Sequence, residues 1–365
     1  MVFTEVLTAV LTKFLRIPFW LQGKRPFAVP KKLLILQPDS LPDILVTTPL
    51  LAIIARAFPD TQIDWAIHEP VRSVLTGNPH IKNLFSLGDK AVEAASWAER
   101  RGMAQQIQAQ QYDTCIIPKP STLLAWLAWQ SRIPQRVGLH YRGQGFGYTV
   151  TGHPSGQAQH QTEMQMGLVS AMGLPQSYLR TQHKMAFYPS DLDRTAVTHK
   201  LVESLNWLGD SPLFLVNPGG APDNERWPLE RFVLLCNHLV KEYQGKLIIM
   251  GDEADQPLAR ELQGLIATRI IDWSGQLTLG EASALCEVAD LYVGNNSDLA
   301  YIAAAADCPT VLIYGEKRPL STIPYAPPGQ LTTLWQPYEG SFSWEKGTAV
   351  LDARDAASQF LKVAV

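Results

Sequence analysis

The sequence predicts an α/β protein made of two similar halves, each with a parallel β-sheet covered by helices. Three observations lead to this prediction. Apolar segments typical of buried strands alternate with amphipathic segments typical of helices along most of the chain. The alternation pauses near residue 188 and then begins again. The chain has 365 residues, which is longer than a domain with a single hydrophobic core usually is, so about two domains are expected.

In the first half, predicted strands alternate with predicted helices, except that two helices follow the second strand. The predicted strands are KLLILQ, QIDWAIH, YDTCIIP and RVGLH. The predicted helices are DILVTTPLLAIIARAF, VRSVLTGN, AERRGMAQQIQAQQ, STLLAWLAWQSR and HQTEMQMGLVSAMGL. The Gly-rich stretch YRGQGFGYTVTGHPSG is expected to be a loop.

The second half repeats the pattern after a linker or helix start in KMAFYPSDLDR. The predicted strands are GKLIIMGDE, RIIDWSG and PTVLIYGE, together with PLFLVNPGG, which ends in a Gly turn, and DLYVGNNS, which ends in a loop. The predicted helices are PLERFVLLCNHLVKEY, DQPLARELQGLIA, TLGEASALCEVA, LAYIAAAADC and DARDAASQFLKVAV.

These patterns predict four regions. They are an N-terminal arm at residues 1–31, an α/β domain at 32–188, a second α/β domain at 189–345, and a closing helix at 346–365. Ligands of open parallel sheets bind at the carboxyl ends of the strands. The unusual residues of this chain fall in those loops, and two domains facing each other would bring the loops to one cleft.

Composition excludes several classes of protein. Hydrophobic residues make up 46% of the chain and charged residues 18%, which is typical of a folded protein. The net charge of −3 gives no reason to expect nucleic acid as a partner. The four cysteines are scattered without a C-x-x-C pair or metal-like spacing, which favours reduced thiols in a cytoplasmic protein and no metal centre. They are Cys115, Cys236, Cys286 and Cys308.

The N-terminal arm carries one amphipathic helical pattern in residues 2–17, ending at Pro18. It lacks the positive start and the cleavage site of a signal peptide. Two interpretations stay open: a helix packed on its own domain, or a peripheral membrane contact through residues 1–20 with Phe19, Trp20, Lys24 and Arg25 at its edge.

Two loops of the second half have the residue types of a phosphate site. VNPGGAP places Pro218, Gly219, Gly220 and Ala221 after a strand, where glycine lets backbone N–H groups approach a phosphate. GNNSDLAY places a polar turn at the start of an Ala-rich helix, whose N-terminus attracts anions. Ordinary turns with Ser297 or Asp298 as helix cap would give the same sequence.

Carboxylates follow two other strands. Asp255, with Asp252 and Glu253, could accept hydrogen bonds from a ribose or could match the dipole of the next helix. In LILQPDSLPDILVTTPLL, Asp43 lies in the first turn of a helix and Pro42 stiffens the turn before it. Asp43 could favour the helix dipole, or it could act as general base toward a hydroxyl that attacks a sugar.

From about Lys32 to Gly329 the chain resembles glycosyltransferase family nine, the ADP-heptose:lipopolysaccharide heptosyltransferases. The segments that carry the resemblance are LPDILVTTPLLAIIARAFPDTQIDWAIHEPVRSVLTGNPHIKNLF, PGGAPDNERWPLERFVLLCNHL, IIDWSGQLTLGEASALCEVADLYVGNNSDLAYIAAAADCPTVLIYG and PYAPPG. The order and spacing of these segments along the chain are more specific to the family than any single segment is.

The resemblance implies a GT-B fold, two Rossmann-like domains facing a central cleft, and inverting transfer without a required metal or cofactor. It implies that Asp43 is the base and that the first domain takes a lipid-linked or lipopolysaccharide-type glycan at the cytoplasmic face. Acceptor contacts are expected from Ser40, Arg136 and Arg142. The nucleotide-sugar donor, ADP-heptose or similar, is expected at Pro218, Gly219, Gly220, Ala221, Arg226, Asp255, Asn295, Asn296, Ser297, Asp298 and Tyr301.

The chain departs from the family pattern at six positions. They are Pro42 for glycine, Glu225 for lysine, Asn296 for aspartate, Asp298 for glycine, Leu299 for proline and Tyr301 for histidine. Glu225 and Asp298 add negative charge where a diphosphate would bind, and Lys317 and Arg318 could compensate. Two hypotheses follow: an active glycosyltransferase with altered donor recognition, or a catalytically impaired family member that binds nucleotide or glycan or acts as a scaffold.

Overall fold

The computed structural model describes residues 23–140, 147–154, 160–180, 183–316, 323–336, 342–345 and 347–361. The chain divides into two compact units, Met1–Thr181 and Gln182–Val365. The predicted N-terminal helix, Arg142, Lys317 and Arg318 lie outside the described residues.

Unit 1 contains six strands. They are β1 (Lys32–Leu36), β2 (Gln62–Ile67), β3 (Asn83–Ser86), β4 (Thr114–Ile117), β5 (Gln135–Leu139) and β6 (Val150–Gly152). Its α-helices are α1 (Leu41–Leu45), α2 (Thr48–Ala57), α3 (Trp97–Ala109), α4 (Thr122–Gln130), α5 (Gln161–Ala171) and α6 (Ser177–Arg180), and Glu69–Val74 forms a 3₁₀ helix. All strand pairs are parallel, in the order β3-β2-β1-β4-β5-β6.

Unit 2 has the same design. Its strands are β7 (Leu213–Asn217), β8 (Lys246–Ile249), β9 (Ile271–Asp272), β10 (Leu291–Asn295), β11 (Thr310–Ile313) and β12 (Leu331–Leu334). Its helices are α7 (Asp191–Leu205), α8 (Leu229–Tyr243), α9 (Gln256–Leu265), α10 (Leu279–Val288), α11 (Asp298–Ala305) and α12 (Val350–Leu361). The strands again pair only in parallel, in the order β12-β11-β10-β7-β8-β9.

The cores explain the continuous apolar strands of the sequence. Strands β7 and β10 are buried along their whole length, because helices cover both faces of the sheet. One face packs against α8, α9 and α12, and the other against α7, α10 and α11. The predicted α/β class, with two parallel sheets, is confirmed.

One expected loop is wrong in part. Residues 150–152 of the Gly-rich stretch form β6, the edge strand of the first sheet. The strand is too short to show a period of two, and its glycine hides the pattern further. A Cβ on Gly152 would lie 2.6 Å from the carbonyl oxygen of Gly167, so the close approach of α5 requires glycine there. Among the described residues, every helix falls short of the length and apolar character needed to cross a bilayer.

Candidate functional site

Asp43 lies at the carboxyl edge of the first sheet, on the short helix α1 that follows β1. Leu41, Ile44 and Leu45 of this helix are buried, which fixes its orientation on the sheet. The Thr47 hydroxyl donates to the carbonyl oxygen of Asp43 at 2.8 Å. The Gln165 amide of α5 in turn donates to that hydroxyl at 2.8 Å, so α5 braces the turn.

Two donors converge on one oxygen of the Asp43 carboxylate. The Ser40 hydroxyl donates to Oδ2 at 2.9 Å, and the Lys119 ammonium donates to the same atom at 2.9 Å. The Asp43 side chain is 15% exposed and Lys119 is 45% exposed, so the pair faces solvent on one side only. Both hydrogen bonds from described residues end on Oδ2. Oδ1 can therefore accept a proton from a substrate hydroxyl.

Lys119 stays charged beside this carboxylate. Desolvation is the largest single effect and lowers its pKa, but Asp43, Asp39 and Glu93 together outweigh it. The net pKa of Lys119 is therefore raised, and the ammonium holds Asp43 by charge as well as by a hydrogen bond.

A second carboxylate belongs to the same edge. Burial raises the pKa of Asp39, with Lys119 opposing that rise and Asp43 adding to it. The Gln37 amide nitrogen donates to Asp39 Oδ2 at 2.8 Å. The Gln37 amide oxygen is buried without a hydrogen-bond partner among the described residues. The stiff turn of the sequence thus presents two acids, and the pKa of one of them, Asp39, is raised.

In unit 2, the Gly-Gly loop after β7 is held by side chains of neighbouring loops. The Asn217 side-chain oxygen accepts from the N–H of Gly219 at 2.9 Å, and the Asp255 carboxylate accepts from the N–H of Gly220 at 3.1 Å. A Cβ on Gly219 would fall 1.9 Å from Asp255 Oδ1. The absence of a side chain at Gly219 therefore lets the loop lie close to Asp255. The N–H groups of Gly219 and Gly220 already donate hydrogen bonds to Asn217 and Asp255.

Asn295 also positions this loop. Its amide nitrogen donates to the carbonyl oxygens of Pro218 at 2.8 Å and Gly219 at 3.2 Å, and its amide oxygen accepts from the N–H of Trp227 at 2.9 Å. Its side chain is fully buried. Asn295 thus fixes both ends of the segment from Pro218 to Trp227.

Ser297 joins the loop to the start of α11. Its hydroxyl accepts from the Asn217 amide at 3.1 Å, and Tyr292 Oη lies 3.3 Å away. Gly220 adopts a φ of +74°, and a Cβ there would lie 2.3 Å from the Cβ of Ser297. The two predicted phosphate loops are therefore in direct contact.

Two polar atoms near these loops lack hydrogen-bond partners among the described residues. They are the buried Nε of Arg226 and the buried Oδ1 of Asn296. Arg226 keeps one ion pair, Nη1 to Asp223 Oδ1 at 2.7 Å, and its side chain is 33% exposed. Both atoms are exceptions, because buried polar atoms usually have hydrogen-bond partners.

The same edge carries excess negative charge. Burial raises the pKa of Asp298, and Asp252 raises it further. Glu225 and Asp255 add two more carboxylates to the loops after β7 and β8. These carboxylates would repel a diphosphate bound at the loops. Arg226, which lies in sequence between the Gly-Gly loop and α8, is a positive charge that could attract it.

The other predicted site residues have different surroundings. Pro218, Ala221 and Tyr301 are buried. Arg136 is the second residue of β5, and its guanidinium donates to the carbonyl oxygens of Ile133 at 2.6 Å and Gly147 at 2.9 Å. These contacts hold it away from the edge that carries Ser40 and Asp43.

Sequence reasoning missed Lys119 and Asn217. A signal for Lys119 existed, since it follows β4, and β4 is the neighbour of β1 in the sheet. Placing the strands in that order would have put the loops of Lys119 and Asp43 side by side. Asn217 ends a buried strand, and a buried asparagine needs partners.

The family model described as glycosyltransferase family 9 (heptosyltransferase) matches residues 100–347, which is more than half of the chain. The chain belongs to glycosyltransferase family 9. The family is one of transferase enzymes, as the resemblance implied.

Relatives match this family 9 protein over most of its length. Lipopolysaccharide heptosyltransferase 3 of Escherichia coli is 24% identical over 281 residues, covering 75% of this chain and 80% of the relative. The glycosyl transferase family 9 protein of Veillonella parvula DSM 2008 is 20% identical with a TM-score of 0.79, covering 93% of this chain and 99% of that one.

A third relative was solved with a ligand. The E. coli heptosyltransferase WaaC with ADP-2-deoxy-2-fluoro heptose is 18% identical with a TM-score of 0.66, covering 92% of this chain and 100% of that one. Together these structures confirm the GT-B fold, with two α/β units each built on a parallel sheet.

Proposed function

We propose that this family 9 protein transfers a sugar, heptose by family default, from a nucleotide-diphosphate donor to a lipid-linked or lipopolysaccharide-type glycan. Asp43 is the general base. The observation that carries the proposal is the Asp43 carboxylate, held through Oδ2 by Ser40 and Lys119 with Oδ1 directed to no described donor. A base needs this combination of fixed position and one free oxygen.

The reaction is an inverting substitution. An acceptor hydroxyl attacks the anomeric carbon, the new C–O bond forms, and the hydroxyl proton passes to Asp43. The bond from the anomeric carbon to the diphosphate breaks, and the electron pair leaves with the nucleotide diphosphate. Charge develops as in an oxocarbenium-like state, so the leaving diphosphate needs positive potential.

Arg226 is the group that supplies this potential in unit 2. It follows the Gly-Gly loop in sequence, and its side chain is 33% exposed with Nη1 paired to Asp223. The partner that suits a guanidinium is a phosphate or carboxylate. The binding of ADP-2-deoxy-2-fluoro heptose by the related WaaC supports a nucleotide-sugar donor here.

The direct test is transfer by the purified full chain. It is incubated with ADP-heptose or one of a panel of nucleotide sugars, together with a lipopolysaccharide core acceptor. Mass spectrometry of the acceptor and assay of released nucleotide diphosphate are followed together. Equal release and mass gain with one donor support the proposal; no mass gain with any donor would contradict it.

A second candidate function is binding without transfer. The observation that favours it is the acidic edge of unit 2, where Asp298 carries a raised pKa and Glu225 stands in place of a cation. Calorimetric titration with ADP, UDP, GDP and CDP separates the two. Nucleotide binding without transfer favours this candidate.

A further inference from the structure

The carboxyl edge of the first sheet carries more negative charge than the proposed base alone supplies. Burial raises the pKa of Asp39; Lys119 and His68 oppose that rise, and Asp43 and Glu93 add to it. Each of these four groups acts on Asp39, so the five side chains lie near one another. They come from the segments that follow four different strands, β1, β2, β3 and β4. We call these five side chains the Asp39 cluster.

The Asp39 cluster has an excess of carboxylates. Three of its members are carboxylates, one is a histidine and one is the ammonium of Lys119. The Lys119 nitrogen already lies 2.9 Å from Asp43 Oδ2. An anionic ligand at this edge would therefore meet Asp39 and Glu93 while the ammonium is engaged by Asp43. Like charges a few ångströms apart repel one another strongly, so the cluster disfavours a phosphate or carboxylate group on a ligand.

Asp39 has a fixed orientation within the cluster. The indole Nε1 of Trp65 donates to the carbonyl oxygen of Gln37 at 3.0 Å, and both side chains are fully buried. The amide nitrogen of Gln37 donates in turn to Asp39 Oδ2 at 2.8 Å. Pro38 lies between the two residues and restricts the backbone. A buried amide, held by a buried strand residue, thus orients a half-buried carboxylate.

Helix capping does not account for Asp39. The N-cap residue of α1 is Ser40, whose side chain makes no capping hydrogen bond. Among the described residues, the donor to Asp39 is Gln37 and not a backbone N–H group of α1. Asp39 Oδ1 and the buried Oε1 of Gln37 both lack a described donor, although buried polar atoms are usually paired. Two acceptor oxygens are therefore available at the edge that carries the proposed base.

Sugar hydroxyls suit these acceptors. A hydroxyl group donates one hydrogen bond, whereas an ionised carboxylate and an amide oxygen only accept them. Hydrogen bonds to an ionised carboxylate are stronger than those between neutral groups. An uncharged sugar supplies such donors without adding a negative charge to the cluster, whereas a phosphorylated or acidic sugar brings the charge that the cluster repels.

We propose that Asp39 binds a hydroxyl group of the acceptor, and that the acceptor unit is an uncharged, hydroxyl-rich sugar without a phosphate or carboxylate group. The inference rests on the proposed function and deepens it by naming the class of acceptor. Asp39 determines specificity, and Asp43 remains the base. Its readout is acceptor binding, which is measured without any sugar donor.

The test titrates the full chain with methyl glycosides of glucose, mannose and heptose, each beside its 4-phosphate, by saturation-transfer NMR. Asp39→Asn keeps the shape of the side chain and removes its charge. Glu93→Gln removes an exposed charge of the cluster. Asp89→Asn is the matched control, because Asp89 is an exposed acid on the same edge that does not act on Asp39. Thermal unfolding checks that each variant folds.

At least one neutral glycoside should bind the wild type about tenfold or more tightly than its phosphate does. Asp39→Asn should weaken the neutral glycoside about tenfold and reduce the preference to less than about threefold, because an amide oxygen accepts a weaker hydrogen bond. Glu93→Gln should strengthen phosphate binding severalfold and leave neutral binding within about twofold. The Asp89→Asn control should leave both affinities within about twofold.

Two results would overturn the proposal: a phosphate that binds as tightly as its neutral glycoside, or the absence of binding by every neutral glycoside. An unchanged preference in Asp39→Asn would also overturn the role of Asp39. A preference for the neutral sugar that disappears in Asp39→Asn, with no transfer from any donor, supports this inference and counts against the proposed function alone.

Discussion

The Nζ of Lys119 lies 2.9 Å from Oδ2 of Asp43, and this ion pair joins the segments that follow two neighbouring strands, helix α1 after β1 and the loop after β4. It gives the proposed base a fixed direction, because Ser40 donates to the same oxygen. The pair also keeps a positive charge where the acceptor hydroxyl would lose its proton. The catalytic proposal therefore depends on two residues from two segments.

Lys119→Met should lower kcat about 10- to 100-fold while KM for the nucleotide sugar changes little, because Asp43 loses its orientation. Steady-state kinetics measures both constants. Lys119→Arg, which keeps a charged donor, should recover part of the loss, whereas Lys82→Gln should leave both constants unchanged. An unchanged kcat in Lys119→Met would remove Lys119 from the mechanism.

The same pair predicts a pH dependence of stability. The pKa of Lys119 is raised in the folded chain, so its stabilising effect is complete below the unfolded pKa of about 10.4 and is lost as the pH rises through the folded pKa. The Tm of the wild type should therefore fall more steeply above about pH 10 than that of Lys119→Met. Parallel curves from differential scanning calorimetry would contradict the raised pKa.

Asn295→Ala should destabilise the chain by about 2–4 kcal/mol, because it leaves a buried N–H and two carbonyl groups without partners. Urea unfolding measures the loss. Asn237→Ala is the matched control, since Asn237 lies on α8 without a described hydrogen bond. If both variants lose the same stability, Asn295 does not position the loop as described.

Arg226→Gln should weaken nucleotide diphosphate binding about tenfold or more, because a charge-assisted hydrogen bond to phosphate is lost. Isothermal titration with the best-bound nucleotide measures the change. Arg269→Gln removes an exposed arginine before β9, at the other end of the strands, and should leave affinity unchanged. Equal affinities in wild type and Arg226→Gln would place the phosphates elsewhere.

Asp298→Asn should strengthen nucleotide diphosphate binding about tenfold, because it removes a negative charge from the start of α11. The pKa of Asp298 is raised, so protonation removes that charge as the pH falls. Wild-type affinity should then rise as the pH falls toward the raised pKa of Asp298, and the rise should be smaller in Asp298→Asn. Asp355→Asn, on the exposed side of α12, is the control; a gain there equal to that of Asp298→Asn would mean a diffuse charge effect.

Much of the fold could be predicted because its signals are local. Strands buried on both faces read as apolar runs, and the two parallel sheets follow from their alternation with helices. Short edge strands such as β6 have too few residues to show a hydrophobic pattern. Glycine is required at position 152 by the nearby backbone of α5, which is distant in sequence.

The candidate site was only partly predictable for a related reason. Asp43 stands out because two prolines and a second acid surround it in sequence. The roles of Asn295 and Asp255 depend on which loops meet at the sheet edge, and residue types alone do not give the strand order β10-β7-β8. Arg136 suggested an acceptor contact by its charge, yet its position in β5 directs it to backbone carbonyls of Ile133 and Gly147.

The most direct test of the account is the kcat of Asp43→Asn measured beside its nucleotide affinity. We expect kcat to fall at least about 100-fold with the affinity within about twofold, because the amide keeps the shape but cannot take a proton. Asp60→Asn, an exposed aspartate between α2 and β2, should retain both values. Turnover by Asp43→Asn at the wild-type rate would contradict the assignment of Asp43 as the base.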